Sequence, residues 1–421
     1  MSGFRAELVA GNFSFPTSAA FDDEGRVFIA ESGLSFGGAS PGGRIWSVGA
    51  DGRRSLVAGG LRPPVNGLTW QEGALYVSEG GYPGRISRLS RGGTLTTILD
   101  NLPGPGNYHT NMTVFGPDGK LYFSQGAMTN SGVVGLDALG LGWLRKLPHA
   151  HDLPGIEVVL AGQEFETPDP LGAEGARATT GAFMPFGTRG ERGTRVARRL
   201  PCTSGVMRCD PTGSGLELVA WGLRNAYGLA FLADGRLLAV DQGPDDRGSR
   251  PIGNAPDLLY EVRVGSWYGW PDFIGGVPVT APEFLPERGP QPAFLLANHD
   301  DLPPPQLPLL RFPAHSAAVK LTATPETSEW KGLILVALFG DERPMTAPAG
   351  PRAGRSLAAI NPTDWTFQYL YGTFERPIDV AYNALDDRVY VVDFGQFEMN
   401  ADNSLTATPG SGRLFRLNRA E

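Results

Sequence analysis

The stretch RNAYGLAFLADGRLLAVDQG, Arg224 to Gly243, decides the fold. One apolar run leads into the turn Ala233-Asp234-Gly235, and a second apolar run follows and ends on the acid Asp241. Two short apolar runs joined by Asp-Gly read as an antiparallel hairpin. The same pattern stands at Phe15 to Ser32 (FPTSAAFDDEGRVFIAES), Pro64 to Gly80 (PVNGLTWQEGALYVSEG), His109 to Gly126 (HTNMTVFGPDGKLYFSQG) and Arg376 to Gly395 (RPIDVAYNALDDRVYVVDFG). A degenerate copy, fifth in chain order, runs from His315 to Gly340, with Glu326 to Lys331 lengthening its turn. Several hairpins lead into a Gly-Arg-aliphatic strand: GRIWSV from Gly43, GRISRL from Gly84 and GRLFRL from Gly412. A further strand then follows, such as RRSLVAG from Arg53 or TLTTIL from Thr94. Six units of four strands predict an all-β, six-bladed β-propeller with four-stranded antiparallel blades. A β-sandwich is the competing fold, but a sandwich does not repeat a hairpin-plus-Gly-Arg unit. The last unit lacks its fourth strand, and the N-terminal FRAELVAG from Phe4 supplies one. An N-terminal strand closing the last blade would remove both open edges.

The repeats are unevenly spaced within one domain over residues 1–421. The first three hairpins begin roughly 45–50 residues apart, an ordinary blade length. About 115 residues then separate the third and fourth starts and about 90 the fourth and fifth, too long for simple blade connections. Two insertions are expected, at approximately 127–199 and 245–308, and both are predicted to roof a cleft on one face.

Composition narrows the partners. The chain has 421 residues, with 58 glycines and 36 prolines, as a turn-rich fold requires. Its net charge of −8 offers no general attraction to nucleic acid or anionic lipid, so neither is expected as a partner. No apolar run approaches the ~18 residues of a membrane span. The start, MSGFRAELVAG, lacks the apolar core of a signal peptide. Two cysteines, Cys202 and Cys209, are too few for a disulfide framework or a zinc site.

The residues that begin the inner strands should meet near the propeller axis. They include His109, Arg224 with Asn225, His315 and Arg376. Converging cations favour an anionic ligand, and an imidazole there can take a proton near neutrality. Arginines bridging blades would give the same pattern without function. The loop DQGPDDRGSRP, Asp241 to Pro251, is acidic and tightly bent, as a Ca²⁺ loop can be, though it has no EF-hand spacing. His149, His151 and Asp152 form a weaker metal candidate. There is no G-x-S-x-G, no P-loop and no G-x-G-x-x-G opening a helix.

Three segments carry a family resemblance. YHTNMTVFGPDGKLYFSQG, GLRNAYGLAF, and DQGP followed by DLLYEVRVGSWYGWP resemble, in order, motifs of the soluble quinoprotein glucose/sorbosone dehydrogenases. The resemblance implies a six-bladed propeller that binds pyrroloquinoline quinone (PQQ) and Ca²⁺ and oxidises an aldose. It implies His109 as the base that takes the sugar hydroxyl proton while hydride passes to the quinone. Arg224 and Asn225 would hold the quinone oxygens, and Gly243 and Pro244 would give carbonyls to the Ca²⁺. Asp257 and Tyr268 fall in the family's structural calcium region. Lys320, Arg343 and Arg355, with Arg352 beside them, are the candidates for the cofactor carboxylates. Two positions depart from the pattern: Gln125 stands where the family has an acid that orients the histidine, and Val65 where some members have Gln. The resemblance also implies a periplasmic or secreted protein, a monomer or homodimer, that passes electrons to a separate acceptor. Two other readings stay open: a calcium-dependent lactonase using Glu31, Asn66 and Asp241, and a propeller that binds carbohydrate without turnover.

Overall fold

Each predicted hairpin forms the two innermost strands of a blade, because its alternating apolar residues face neighbouring blades on both sides. The computed structural model describes residues 4–32, 42–104, 106–348, 350–370, 372, 374–400 and 404–419. Six units of four antiparallel strands are present, and in blade 3 a short fifth strand, Ser266–Trp267, adds parallel to the outermost strand Glu217–Trp221. Their inner strands are Pro16–Phe21, Val65–Gln71, Thr110–Phe115, Ala226–Phe231, Ala318–Ala323 and Pro377–Asn383. Each inner strand packs against the next, and the sixth against the first, so the ring is closed. The second strands, Val27–Glu31, Ala74–Glu79, Leu121–Gln125, Leu237–Asp241, Ile334–Leu338 and Arg388–Asp393, are buried almost throughout.

Blade 6 closes as the sequence predicts. Phe4–Phe13 pairs antiparallel with Gly412–Arg419, with Phe4 opposite Arg419 and Phe13 opposite Gly412. Strand Gly412–Arg419 pairs in turn with Arg388–Asp393. The two chain ends thus share one sheet, and the N-terminal strand completes the blade's fourth, outermost position.

One feature recurs at the top of each hairpin. The last residue of the second strand lies opposite the first residue of the inner strand: Glu31 opposite Pro16, Glu79 opposite Val65, Gln125 opposite Thr110, Asp241 opposite Ala226, Leu338 opposite Ala318 and Asp393 opposite Pro377. In four blades that residue is acidic and accepts backbone N–H groups from the residues leading into the inner strand. Asp241 takes those of Asn225 (2.7 Å) and Arg224 (3.2 Å), and Asp393 those of Glu375 and Arg376 (2.8 Å each). The acid therefore fixes the backbone where the chain reaches the axis.

The first insertion leaves blade 3 after Gln125 and returns at strand Gly205–Cys209. The stretch expected as a second insertion contains blade 4's third strand, Asp257–Val262, so it divides into a loop before that strand and a longer excursion after it. Cys202 and Cys209 are free thiols in the core, and burial pushes them up to about 12 and about 11. Among the described residues no helix is long and apolar enough to cross a membrane.

Candidate active site

All six blades contribute to one axial cavity of about 210 Å³. Thr17, Asn66, Asn111, Tyr227, Val319 and Ile378, one from each inner strand, lie along it. His109, Arg224, Asn225 and His315 join them from the segments just before the inner strands. Leu141 of the first insertion and Asp245 and Arg247 of the loop after blade 4's second strand also line it. The two inserted regions therefore meet over the same face.

His109 reaches this cavity because glycine lets two chains come close. A Cβ on Gly80 would stand 2.5 Å from the His109 Cβ, and one on Gly126 would stand 2.4 Å from the Tyr108 Cβ. Burial pushes the His109 imidazole down to about 4, opposed by a hydrogen bond with the Tyr108 backbone. It is therefore neutral at ordinary pH and able to accept a proton.

Arg224 is the hub of the polar wall. Its Nε donates to the Asn130 carbonyl (2.8 Å), and its Nη1 to the carbonyls of Gln242 (3.2 Å) and Gly243. Its Nη2 donates to Asn130 Oδ1 (2.7 Å), to Asp245 (3.0 Å) and to the Tyr108 hydroxyl. Asp245 also accepts from Arg247 (3.0 Å), which reaches Asp137 of the first insertion at 2.8 Å. Burial opposes ionisation of Asp245, but Arg224 and Arg247 outweigh it and hold the carboxyl below its usual range. Asn225 links Asn111 to Gln242, accepting from the first and donating to the second at 2.8 Å each. Opposed to these polar groups in character are Phe339, Phe394 and Phe397, whose ring centroids lie 5.6–6.0 Å apart in a mutual cluster on the cavity lining.

The other sequence candidates divide among several places. Gly243 and Asp257 line the cavity. Asp257 accepts from the backbone N–H of Gly243 (2.9 Å) and of Ala318 (3.1 Å), and burial pushes it up to about 7. Pro244 follows Gly243 without lining the cavity. Tyr268 is buried against Tyr260, and its hydroxyl donates to the Glu261 carbonyl (2.7 Å). Lys320 lies inside the ring of inner strands, donates to the Thr17 carbonyl (2.6 Å) and stands 3.6 Å from Asp379. Burial pushes this ammonium down to about 8. Arg343 and Arg355 line a second cleft with Arg352, and Asp341 is common to that cleft and the axial cavity.

Of the three lactonase candidates, only Asn66 lines the cavity. Glu31 is held by Arg44 (2.6 Å) and Trp46 (2.8 Å), and Asp241 by backbone N–H groups. Asp152 is spent on Met128, Thr129 and Thr203. Among the described residues no group of three or more His, Cys, Asp or Glu side chains is placed to hold a metal.

Sequence reading did not single out Asn130 or Glu342, and it took Tyr108, Asp245 and Arg247 only as parts of longer segments. Glu342 lines the cavity, and loss of solvent raises its carboxyl above the usual range. It also missed the aromatic wall. A signal for that wall was present: Phe339-Gly340 and Phe394-Gly395 follow the second strands of blades 5 and 6 as the same dipeptide.

Comparison with solved structures finds the same architecture over the full chain. An aldose sugar dehydrogenase from Streptomyces coelicolor, solved in its PQQ-bound form, is 17% identical with a TM-score of 0.59, covering 100% of this chain and 99% of that one. The likeness is one of fold. A putative oxidoreductase (glucose dehydrogenase) from Thermus thermophilus is 20% identical with a TM-score of 0.58, covering 99% of this chain and 100% of that one. The PQQ domain of a pyranose dehydrogenase from Coprinopsis cinerea, in its holo form, is 14% identical with a TM-score of 0.60, covering 100% of this chain and 96% of that one. The six-bladed fold implied by the sequence resemblance is thus the fold observed. No protein-family model matches the sequence, and comparison of the sequence with curated proteins finds no match.

Proposed function

We propose that the chain is an oxidoreductase that oxidises a sugar hydroxyl in the axial cavity, with PQQ as the electron acceptor and His109 as the base. The observation that carries this reading is the meeting of a buried, neutral His109, the Arg224–Asn225 pair and a three-phenylalanine wall in one cavity. Aromatic rings beside a band of N–H donors fit a planar, anionic, hydrogen-bonding ring system. When bound, PQQ would supply a two-electron hydride acceptor. Asn225 and Gln242 would orient its oxygens, and Arg224 and Arg247 would set the local positive potential. His109 would take the hydroxyl proton as the C–H bond breaks, holding it on the imidazole. The reduced acceptor requires a separate electron carrier.

Ca²⁺ fits less well at the expected carbonyls. Gly243 already accepts from Arg224, so a cation there would compete with a guanidinium. No step is assigned to it.

The test is dye reduction with a panel of aldoses after adding PQQ to the purified chain, with and without Ca²⁺. Turnover is expected with at least one sugar. His109→Ala should lower it about 10²–10⁴-fold. The acid limb of kcat/KM should lie at about 4, where the free-enzyme His109 titrates. No turnover with any sugar, or a His109→Ala variant as active as the parent, would sink the reading.

A further inference from the structure

Beside the axial cavity lies a cleft of about 310 Å³ lined by Asp341, Arg343, Pro344, Gly350, Arg352, Arg355 and Glu398. Three guanidinium groups face two carboxylates there. Glu398 is shared by Arg355 (2.6 Å), Arg352 (3.4 Å) and a fourth arginine, Arg376 (3.2 Å). Asp341 stands 3.7 Å from Arg343. Positive charge is therefore in excess locally, in a chain whose net charge is −8. The Nε groups of Arg343 and Arg355 are buried and have no acceptor among the described residues. Buried donors are normally satisfied, so these two guanidinium groups of the cleft lining keep hydrogen-bonding capacity that the described residues do not use. Arg355 also adopts φ 56°, in the left-handed region where a side chain is strained, and so presents its guanidinium at some backbone cost.

The cleft and the axial cavity share one wall residue. Asp341 lines both, and the next two residues diverge: Glu342 lines the cavity and Arg343 lines the cleft. His315 lines the cavity, 3.8 Å from Asp245 and close enough to feel the charges of Arg343 and Asp341. A molecule that reached both spaces would place an anionic group in the cleft and a hydroxylated body in the cavity.

We propose that Arg343, Arg352 and Arg355 form an oxyanion site for the carboxylate or phosphate of a small acidic sugar whose hydroxyl groups enter the axial cavity. Planar guanidinium forks match the two oxygens of a carboxylate or the edge of a phosphate better than they match a neutral hydroxyl. The proposal rests on the oxidoreductase reading for what happens to the sugar, but not for its binding.

The test is isothermal titration of the full chain in a low-salt buffer, without quinone or added Ca²⁺. The probes are D-glucuronate, D-glucose 6-phosphate, D-glucose and inorganic phosphate. At least one acidic sugar is expected to bind tenfold or more tightly than both glucose and inorganic phosphate. Arg343→Gln and Arg355→Gln should each weaken that binding about tenfold. Arg352→Gln, at a solvent-exposed position that the core does not depend on, should weaken it several-fold with an unchanged circular dichroism spectrum. Glu398→Gln should strengthen it by removing a competing acceptor. Equal binding of glucose and the acidic sugars, phosphate binding as tightly as either, or an affinity unmoved by Arg343→Gln and Arg352→Gln would each overturn the proposal. Displacement of bound glucuronate from the cleft by PQQ would assign the cleft to the cofactor and overturn it as well. Intact acidic-sugar binding with no dye reduction would sink the oxidoreductase reading alone.

Discussion

Blades 4 and 6 start their inner strands on a carboxylate, whereas blades 3 and 5 do not. In blade 6, Asp393 takes three backbone N–H groups, those of Glu375, Arg376 and Gly395. In blade 3 the equivalent Gln125 accepts from the Thr110 hydroxyl (2.8 Å) and donates to the Pro103 carbonyl (2.9 Å). In blade 5 the position is Leu338, and Asp257 reaches over from blade 4 to take the Ala318 N–H. The same structural task, fixing the backbone at the axis, is done by the blade's own acid, by an amide and by a neighbour's acid. The difference shows that the repeat constrains where an acceptor must be rather than which residue carries it. Blades 3 and 5 are also the ones whose strand starts place His109 and His315 in the cavity.

The largest effect is expected where the carboxylate does most. Asp393→Ala leaves three N–H donors without their acceptor, two of them buried at about 1–3 kcal/mol each before relaxation and that of Glu375 half-buried. The variant should lose about 3 kcal/mol or more in urea denaturation. A loss below about 1 kcal/mol, within the range of a single ordinary hydrogen bond, would mean that the acid is dispensable and the contrast between the blades superficial.

A smaller, pH-dependent effect is expected in blade 4. Burial pushes Asp241 up to about 7, against about 3.9 in an unfolded chain. The folded chain therefore binds this proton more tightly than the unfolded chain does. Stability contributed by the protonated form is complete below about pH 4 and is lost as the pH rises through about 7. Asp257, also pushed up to about 7, adds to the same trend. Asp241→Asn cannot ionise, and its amide would set an N–H donor against the backbone of either Arg224 or Asn225. The variant should be less stable than the parent at pH 5, and the gap should narrow by pH 8. A gap that stays constant in denaturation curves at the two pH values would show that Asp241 ionises normally in the folded chain.

The strand pattern made the propeller legible because a hairpin repeated six times leaves a period that no single insertion erases. Terminal closure was legible for the same reason: a missing strand at one end matched a surplus strand at the other. Residues at the starts of inner strands, such as His109, Arg224 and Asn225, could be placed near the axis from position alone. The partners of Arg224 could not. Asn130 and Tyr108 lie about a hundred residues earlier in the chain, and nothing local marks them. The loop after blade 4's second strand looked like a cation loop because its carboxylates were visible in sequence. Its balancing arginines, Arg224 and Arg247, turn the same charges into internal ion pairs. Arg343 and Arg355 sit in a loop without strand periodicity, so their chemistry was readable but their cleft was not.

The subtlest change sharpens the contrast at blade 3 itself. Gln125→Glu would give this blade the carboxylate that its neighbours have. The new acid could still accept from the Thr110 hydroxyl, but it would lose the donor to the Pro103 carbonyl and place a negative charge against that oxygen. The fold should therefore lose about 1 kcal/mol, the net worth of one hydrogen bond. If position 125 acts on the imidazole one residue before Thr110, the added charge should also favour the protonated ring and raise His109 above its value of about 4. Nitrogen NMR of the histidine ring across pH 3–7 reads that shift directly. An imidazole that titrates unchanged would show that position 125 serves only the strand, and that His109 is held neutral by burial alone.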